Sequence, residues 1–233
     1  PARRAIPPAE NLLSVCLLNV NSSTGDPDKV LAYLKAQNTD VVVIQEFSSR
    51  WRKVSNDLQQ EYPHQLLEVR EDNFGMALLS RREFIHQEVL YFTGEMIPSL
   101  GVKVEMNAHK VYVFAAHPVP PIGAEYTDLR NRQLTEIGTI LANSSGSVIL
   151  VGDLNTTPWS PIFKDLLRST GLQNSMKGFG IQPTWPSFIP PLWIPLDHLL
   201  HSKDLAVQTR KIGPDIGSDH FPVEVSFVRR QPP

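Results

Sequence analysis

Six stretches of the 233-residue chain place a carboxylate, carboxamide or imidazole where an apolar run stops. Asn19 and Asn21 follow LLSVCLL, Gln45 and Glu46 follow DVVVI, and His117 ends KVYVFAA. Asp153 and Asn155 close SVILVG within GDLN, and Asp197 opens LDHLLHS. Asp219 and His220 follow Gly217-Ser218, ahead of PVEVSFV. Such side chains hold hard metal ions, donate to phosphate oxygens or move protons. The two-residue period of a strand gives Asn19 and Asn21 one face and Asp153 and Asn155 another. Each break alone has a plain reading: Gly-Asp then Asn is ordinary turn composition, Glu46 can cap a helix, and Asp197 can be an ion-pair partner. Their number and order favour one pocket at a shared sheet edge.

The runs that must position these groups read as strands at 12–20, 40–46, 75–81, 100–106, 110–117, 147–153, 196–202 and 222–228. Continuous apolar runs at 40–44 and 148–151 fit strands buried on both faces. The alternation in VKVEM and PVEVSFV fits antiparallel strands with one solvated face. Helical patterns lie between: Asp26-Pro27 caps and starts DPDKVLAYLKAQ, 127–143 carries a Leu129, Leu134, Ile137, Leu141 stripe, and 158–169 opens on Thr-Pro. The sum is an α/β chain.

Length and a 41% hydrophobic content support one domain over 12–228, after a proline-rich linker or tail at 1–11 and before a tail at 229–233. A net charge of −2 excludes a strongly basic nucleic-acid coat protein, though not a nuclease that recruits a metal. The single cysteine, Cys16, excludes an internal disulfide and a cysteine-based zinc cluster. No run approaches a membrane span, and the start at Pro1 fits a processed or trimmed product with an upstream anchor removed.

The ordered set LNVN, QE, H, GDLN, LDH and GSDH resembles the endonuclease/exonuclease/phosphatase superfamily across residues 12–228, and a bacterial branch in particular. Some members of that branch carry membrane segments before the domain. The resemblance implies a DNase I-like four-layer α/β sandwich, two packed mixed sheets flanked by helices. It implies a Mg²⁺-dependent phosphoesterase, with Mn²⁺ as a substitute. Glu46 would be the principal ligand, helped by Asn19 and Asp219. Asp153 would orient and deprotonate the attacking water, and Asn155 would donate to a phosphate oxygen. His220, oriented by Asp197, would stabilise the charge on the phosphorane, and His117 would contact the phosphate or assist the leaving group. Many relatives have an acid where this chain has Asn21, so by the resemblance one negative charge is missing near the metal.

Further substrate contacts are expected from Asn21, from Arg130, Arg132 and Gln133 on the helix after His117, and from Trp185 and Trp193 in PTWPSFIPPLWIP. These tryptophans offer surfaces for a base or a lipid, or pack as a rim loop. Arg50, Trp51, Arg52 and Lys53 read as an amphipathic helix. The expected substrate is a nucleic-acid phosphodiester, the alternative a phospholipid head group or small phosphorylated metabolite. A catalytically inactive binding module is disfavoured by the intact set, and a calcineurin-like dinuclear enzyme by the missing histidine motifs. A monomer without an obligate protein partner is expected, as a soluble domain or the catalytic part of a membrane-anchored bacterial protein.

Overall fold

A computed structural model describes residues 11–92 and 96–230. Most of the linker expected at 1–11 and the end of the tail expected at 229–233 lie outside the described residues.

The chain runs β1 (Leu12–Asn19), α1 (Pro27–Ala36), β2 (Val41–Gln45), a 3₁₀ turn (Ser49–Trp51) leading into α2 (Arg52–Asp57), β3 (His64–Glu68), β4 (Met76–Ser80), β5 (His86–Phe92), β6 (Ile97–Met106) and β7 (His109–Ala116). It continues through α3 (Gly123–Ala142), β8 (Ser147–Asp153), α4 (Pro161–Thr170), β9 (Gln173–Asn174), β10 (Asp197–His201), β11 (Leu205–Ile212) and β12 (Val223–Arg229). The strands form two six-stranded mixed sheets, ordered β11-β12-β1-β2-β4-β3 and β5-β6-β7-β8-β10-β9.

Burial explains the layering. Alternate residues of each sheet face the other: Leu13, Val15 and Leu17 of β1 share one core with Leu100 and Val102 of β6 and with Ile149 and Val151 of β8. The opposite face of the first sheet packs Leu18, Val42 and Ile44 against Val30 and Leu34 of α1 and against Trp51. The opposite face of the second packs Phe114 and Leu150 against Leu134 and Ile137 of α3 and Phe163 of α4. Four layers result, the architecture the resemblance implies.

Helix starts follow their caps. The Asp26 carboxylate accepts from the Asp28 and Lys29 amides ahead of Pro27. α4 starts at Pro161 instead of Pro158, because Ser160 accepts from the Phe163 amide. α3 begins at Gly123, four residues before the expected 127. β12 runs through Arg229, and the Arg230 amide donates to the Asp204 carbonyl, so the ladder passes the expected end at 228.

Two features gather the strand ends. β1 and β2 pair in parallel across α1, and β7 and β8 in parallel across α3. Antiparallel β12 and β10 bring their starts to the same edge, where Asp197 is the register partner of Asp153. The carboxyl ends of parallel strands in α/β sheets commonly open a crevice. No helix among the described residues is long and apolar enough to cross a membrane.

Candidate active site

The end of β1 is the first wall. Asn19 is buried, and its side-chain nitrogen donates to Glu46 Oε1 at 3.0 Å while its side-chain Oδ1 accepts from the Asn21 backbone amide. Glu46 Oε2 accepts from the Ser22 amide at 3.0 Å. β2 stops at Gln45, and Glu46 itself turns to φ 61°, a left-handed conformation uncommon for a glutamate. That turn delivers Phe47 to a backbone bond with Gly75. Burial raises the Glu46 pKa against the opposing Ser22 and Asn19 donors, with the Asp219 charge adding to the rise.

Asn21 does not share a strand face with Asn19, because β1 has ended and Asn21 sits at φ 56° in a turn. Its side-chain oxygen accepts from the Ser23 and Thr24 amides, and its nitrogen donates to Asp219 Oδ1 at 3.0 Å. Trp185 Nε1 donates to Asp219 Oδ2 at 3.1 Å. The departure at Asn21 thus holds a carboxylate where a second acid would repel one.

Asp153, at the end of β8, is buried between two imidazoles. Its Oδ2 lies 3.7 Å from His220 Nε2 and 3.8 Å from His117 Nε2, and its Oδ1 accepts from the Asn155 amide. His220 Nδ1 lies 2.8 Å from Asp197 Oδ2, the geometry of an N–H donating to a carboxylate. Burial pulls the His220 pKa down, but Asp197, Asp153 and Asp219 reverse this and push it up to about 10. Burial lowers His117 to about 4, helped by the His220 charge. Burial pushes Asp153 up to about 7 against the His220 cation. Asp197 stays below the usual carboxylate range, because His220 outweighs its burial.

Asn155 departs from the expected strand face. It lies beyond β8 at φ 49°, and its amide nitrogen donates to the Pro118 carbonyl. It still lines the cleft, as does Arg130, whose guanidinium donates to the Asn155 carbonyl and the Asn131 side chain. Burial lowers the Arg130 pKa, with no carboxylate opposing it. Three expected contacts lie elsewhere. Gln133 is buried and accepts from the Val119 amide, tying α3 to the loop after β7. Arg132 is exposed on the outer face of α3 and lines no part of the cleft. Trp193 packs edge-on against Phe221, outside the cleft lining.

Several residues to which the sequence assigns no role matter here. Gln45 joins the sheets: its Nε2 donates to the Ala116 carbonyl at 2.8 Å, and its Oε1 accepts from the Asp153 amide at 2.8 Å. Gly152 permits this, since a Cβ there would lie 1.9 Å from the Ala116 oxygen. Ser218 donates to the Asn19 carbonyl and accepts from the His220 amide. Phe74 tilts over His117 with ring centroids 5.8 Å apart. The QE and GD motifs flag Gln45 and Gly152 as strand-end residues; Ser22, which acts through its backbone, leaves no signal.

The cleft encloses about 990 Å³, within the range of small-ligand sites. Glu46, Asp153, Asp219 and His220 line its floor, with Phe74, Tyr126, Trp185 and Ile194 on its walls. Among the described residues no three His, Cys, Asp or Glu side chains are grouped to hold a metal ion. The donor set nevertheless fits Mg²⁺, which takes oxygen ligands, keeps several waters and needs one or two protein carboxylates. Glu46 and Asp219 raise negative potential at the floor, and the donors to Glu46 among the described residues are uncharged.

Comparison with known proteins agrees with this geometry. Among curated protein sequences none matches the chain closely enough to count as a relative. TDP2 of D. rerio, solved with a single strand DNA product, superposes with a TM-score of 0.76 at 19% identity, covering 93% of this chain and 98% of that one. An endonuclease/exonuclease/phosphatase from Beutenbergia cavernae gives 0.77 at 18% identity, covering 94% and 72%. The beta toxin of Staphylococcus aureus gives 0.66 at 20%, covering 91% and 99%. The family model described as Endonuclease/Exonuclease/phosphatase family matches residues 16–220, which takes in every candidate site residue from Asn19 to His220. The chain therefore belongs to the Endonuclease/Exonuclease/phosphatase family, whose members are phosphoric ester hydrolases that generally depend on a divalent metal.

Proposed function

We propose that the cleft hydrolyses a phosphodiester by attack of water on phosphorus. The observation that carries this reading is the buried Asp153 carboxylate set between His117 and His220, with Asp197 behind His220. A carboxylate raised to about 7 by burial is matched to taking a proton from water near neutral pH. His220, kept protonated by the carboxylates around it, donates to a phosphate oxygen as charge builds there. His117 stays neutral and contacts the phosphate or assists the leaving group. Arg130 and Asn155 orient the substrate, and Trp185 supplies a flat face beside the phosphate.

Glu46 and Asp219 would hold Mg²⁺, with Mn²⁺ as a substitute. When bound, the metal supplies positive charge that lowers the cost of bringing an anionic phosphate to a carboxylate-rich floor. Asn19 acts as a positioning residue for Glu46, since its donor nitrogen faces the carboxylate.

Nucleic acid is the first substrate reading, supported by the aromatic cleft walls, the buried Arg130 cation and the single strand DNA product held by the D. rerio fold neighbour. A phospholipid head group or small phosphorylated metabolite is the second, favoured by the exposed apolar side chains Ile122 and Tyr126 in the cleft lining. The test is a hydrolysis panel of single-stranded, duplex and abasic DNA, RNA, phosphatidylinositol phosphates and sphingomyelin. Turnover should vanish on chelation, return with Mg²⁺ or Mn²⁺, and be absent in Asp153→Asn. Chelator-insensitive turnover, or an active Asp153→Asn, would sink the proposal.

A further inference from the structure

On β11, Thr209 and Lys211 are exposed, and Arg210 between them is only 6% exposed. The strand turns it inward. Val225, its register partner on β12, belongs to the packing between the sheets, and Ile212, two residues on, packs against it. β10 enters that space from the other sheet: Leu199 joins the same packing, and the His201 ring centroid lies 5.6 Å from that of Phe227. Asp197 shares the face of Leu199 and His201 by the two-residue period of the strand. Arg210 and Asp197 therefore enter one gap from opposite walls.

Each has polar atoms left over. Arg210 Nε and Nη1 have no hydrogen-bond partner among the described residues. Burial lowers the Arg210 pKa to about 10, and the Asp197 charge opposes the fall. The Arg210 charge in turn adds to the burial that lowers His198, the neighbour of Asp197. Asp197 gives Oδ2 to His220 Nδ1, and its buried Oδ1 has no hydrogen-bond partner among the described residues. The Thr184 side chain also favours the charged carboxylate, while its oxygen accepts from the Leu196 and Asp197 amides. Taking a guanidinium out of water without a bonded counter-ion disfavours folding, and an apolar side chain of similar length would fill the gap without that penalty. Among the described residues, Asp197 is the carboxylate placed to use the charge.

We propose that Arg210 is a positioning residue: from the inner face of β11 its charge holds Asp197 as an anion turned toward His220. The catalytic part rests on the phosphodiesterase reading of the cleft; the coupling of Arg210 to Asp197 does not. The test is a double-mutant cycle of Arg210→Met and Asp197→Asn in the full chain, read by thermal melts and by turnover of bis(4-nitrophenyl) phosphate with Mg²⁺. Arg210→Met should melt at or above the wild-type temperature, because a desolvated charge is gone. It should still lower kcat by about 10–100-fold, the range for a lost supporting partner, with KM little changed. Arg210→Lys keeps the charge but not the planar fork, and should recover part of that loss. In the Asp197→Asn background, Arg210→Met should cost no further kcat and should raise the melting temperature by more, since the cation there faces no opposite charge.

An Arg210→Met variant that melts well below the wild type, or does not fold, assigns Arg210 to the scaffold and overturns the proposal. Unchanged kcat in that variant overturns it too, as does a kcat loss of equal size in both backgrounds. Additive melting shifts overturn the coupling whatever the turnover. A wild type that leaves bis(4-nitrophenyl) phosphate uncleaved while the melts stay coupled overturns the reading of the cleft and upholds the pairing of the two charges.

Discussion

Asp153 and Glu46 are both buried acids, yet their surroundings divide them. Asp153 faces two imidazoles and has one backbone donor, whereas Glu46 accepts from an amide side chain and a backbone N–H and faces no cation at hydrogen-bonding distance. The first arrangement suits proton transfer and the second suits a metal ligand. Replacing Asp153 with Asn should lower kcat by about 10²–10⁴-fold, the range for a lost general base, while the thermal melt stays near wild type. Replacing Glu46 with Gln should raise the Mg²⁺ concentration for half-maximal rate, read from a metal titration after chelation. Asn19→Leu should raise it as well, by about 10–100-fold, because a ligand's supporting partner is lost. Unchanged metal dependence in both variants would remove the ligand assignment. His220→Ala should cut kcat more than it raises KM, since its charge matters most in the transition state.

At the scale of elements, strand ends were the legible part. Asn19, Glu46, His117, Asp153, Asp197 and His220 each stand where a branched apolar run breaks, and the structure brings all six to one edge. Where those runs are flanked by mixed sequence, legibility fails. β3 and β5 escape detection because HQLLE and HQEVLYF lie toward sheet edges and bury only part of their length. β11 escapes because LAVQTRKI carries Arg210 into the interior, against the usual pattern. Asn21 and Asn155 escape because a two-residue period stops applying once φ turns positive. Gly152→Ala tests the close approach of β8 to β7. A Cβ 1.9 Å from the Ala116 oxygen must push the strands apart, so the variant should be inactive or insoluble, as judged by turnover and circular dichroism. His198 on β10 yields a pH prediction. Burial lowers its pKa from 6.5 to about 4, while its Nε2 bonds the Thr156 carbonyl. The unfolded chain therefore binds a proton that the folded one refuses, and stability falls as pH drops from 6.5 toward 4. The slope from this group is up to about 1.4 kcal/mol per pH unit, and His198→Gln should remove it from denaturant midpoints measured across that window.

Across the whole molecule the candidate site is divided between the layers. The first sheet and its loops bring Asn19, Glu46 and His220; the second brings His117, Asp153 and Asp197. What lies between is mostly interdigitated aliphatic packing, which resists compression well but is non-directional. Leu100→Ala, in that packing, should cost about 2–5 kcal/mol in a denaturant melt. Gln45 adds direction beside the site: one carboxamide grips the Ala116 carbonyl and the Asp153 amide together from across the gap. That grip behaves as a latch on alignment. Warming that lets one layer creep over its neighbour by a fraction of an ångström would release it, and hydrolysis should then fade at temperatures where both sheets still give a native spectrum.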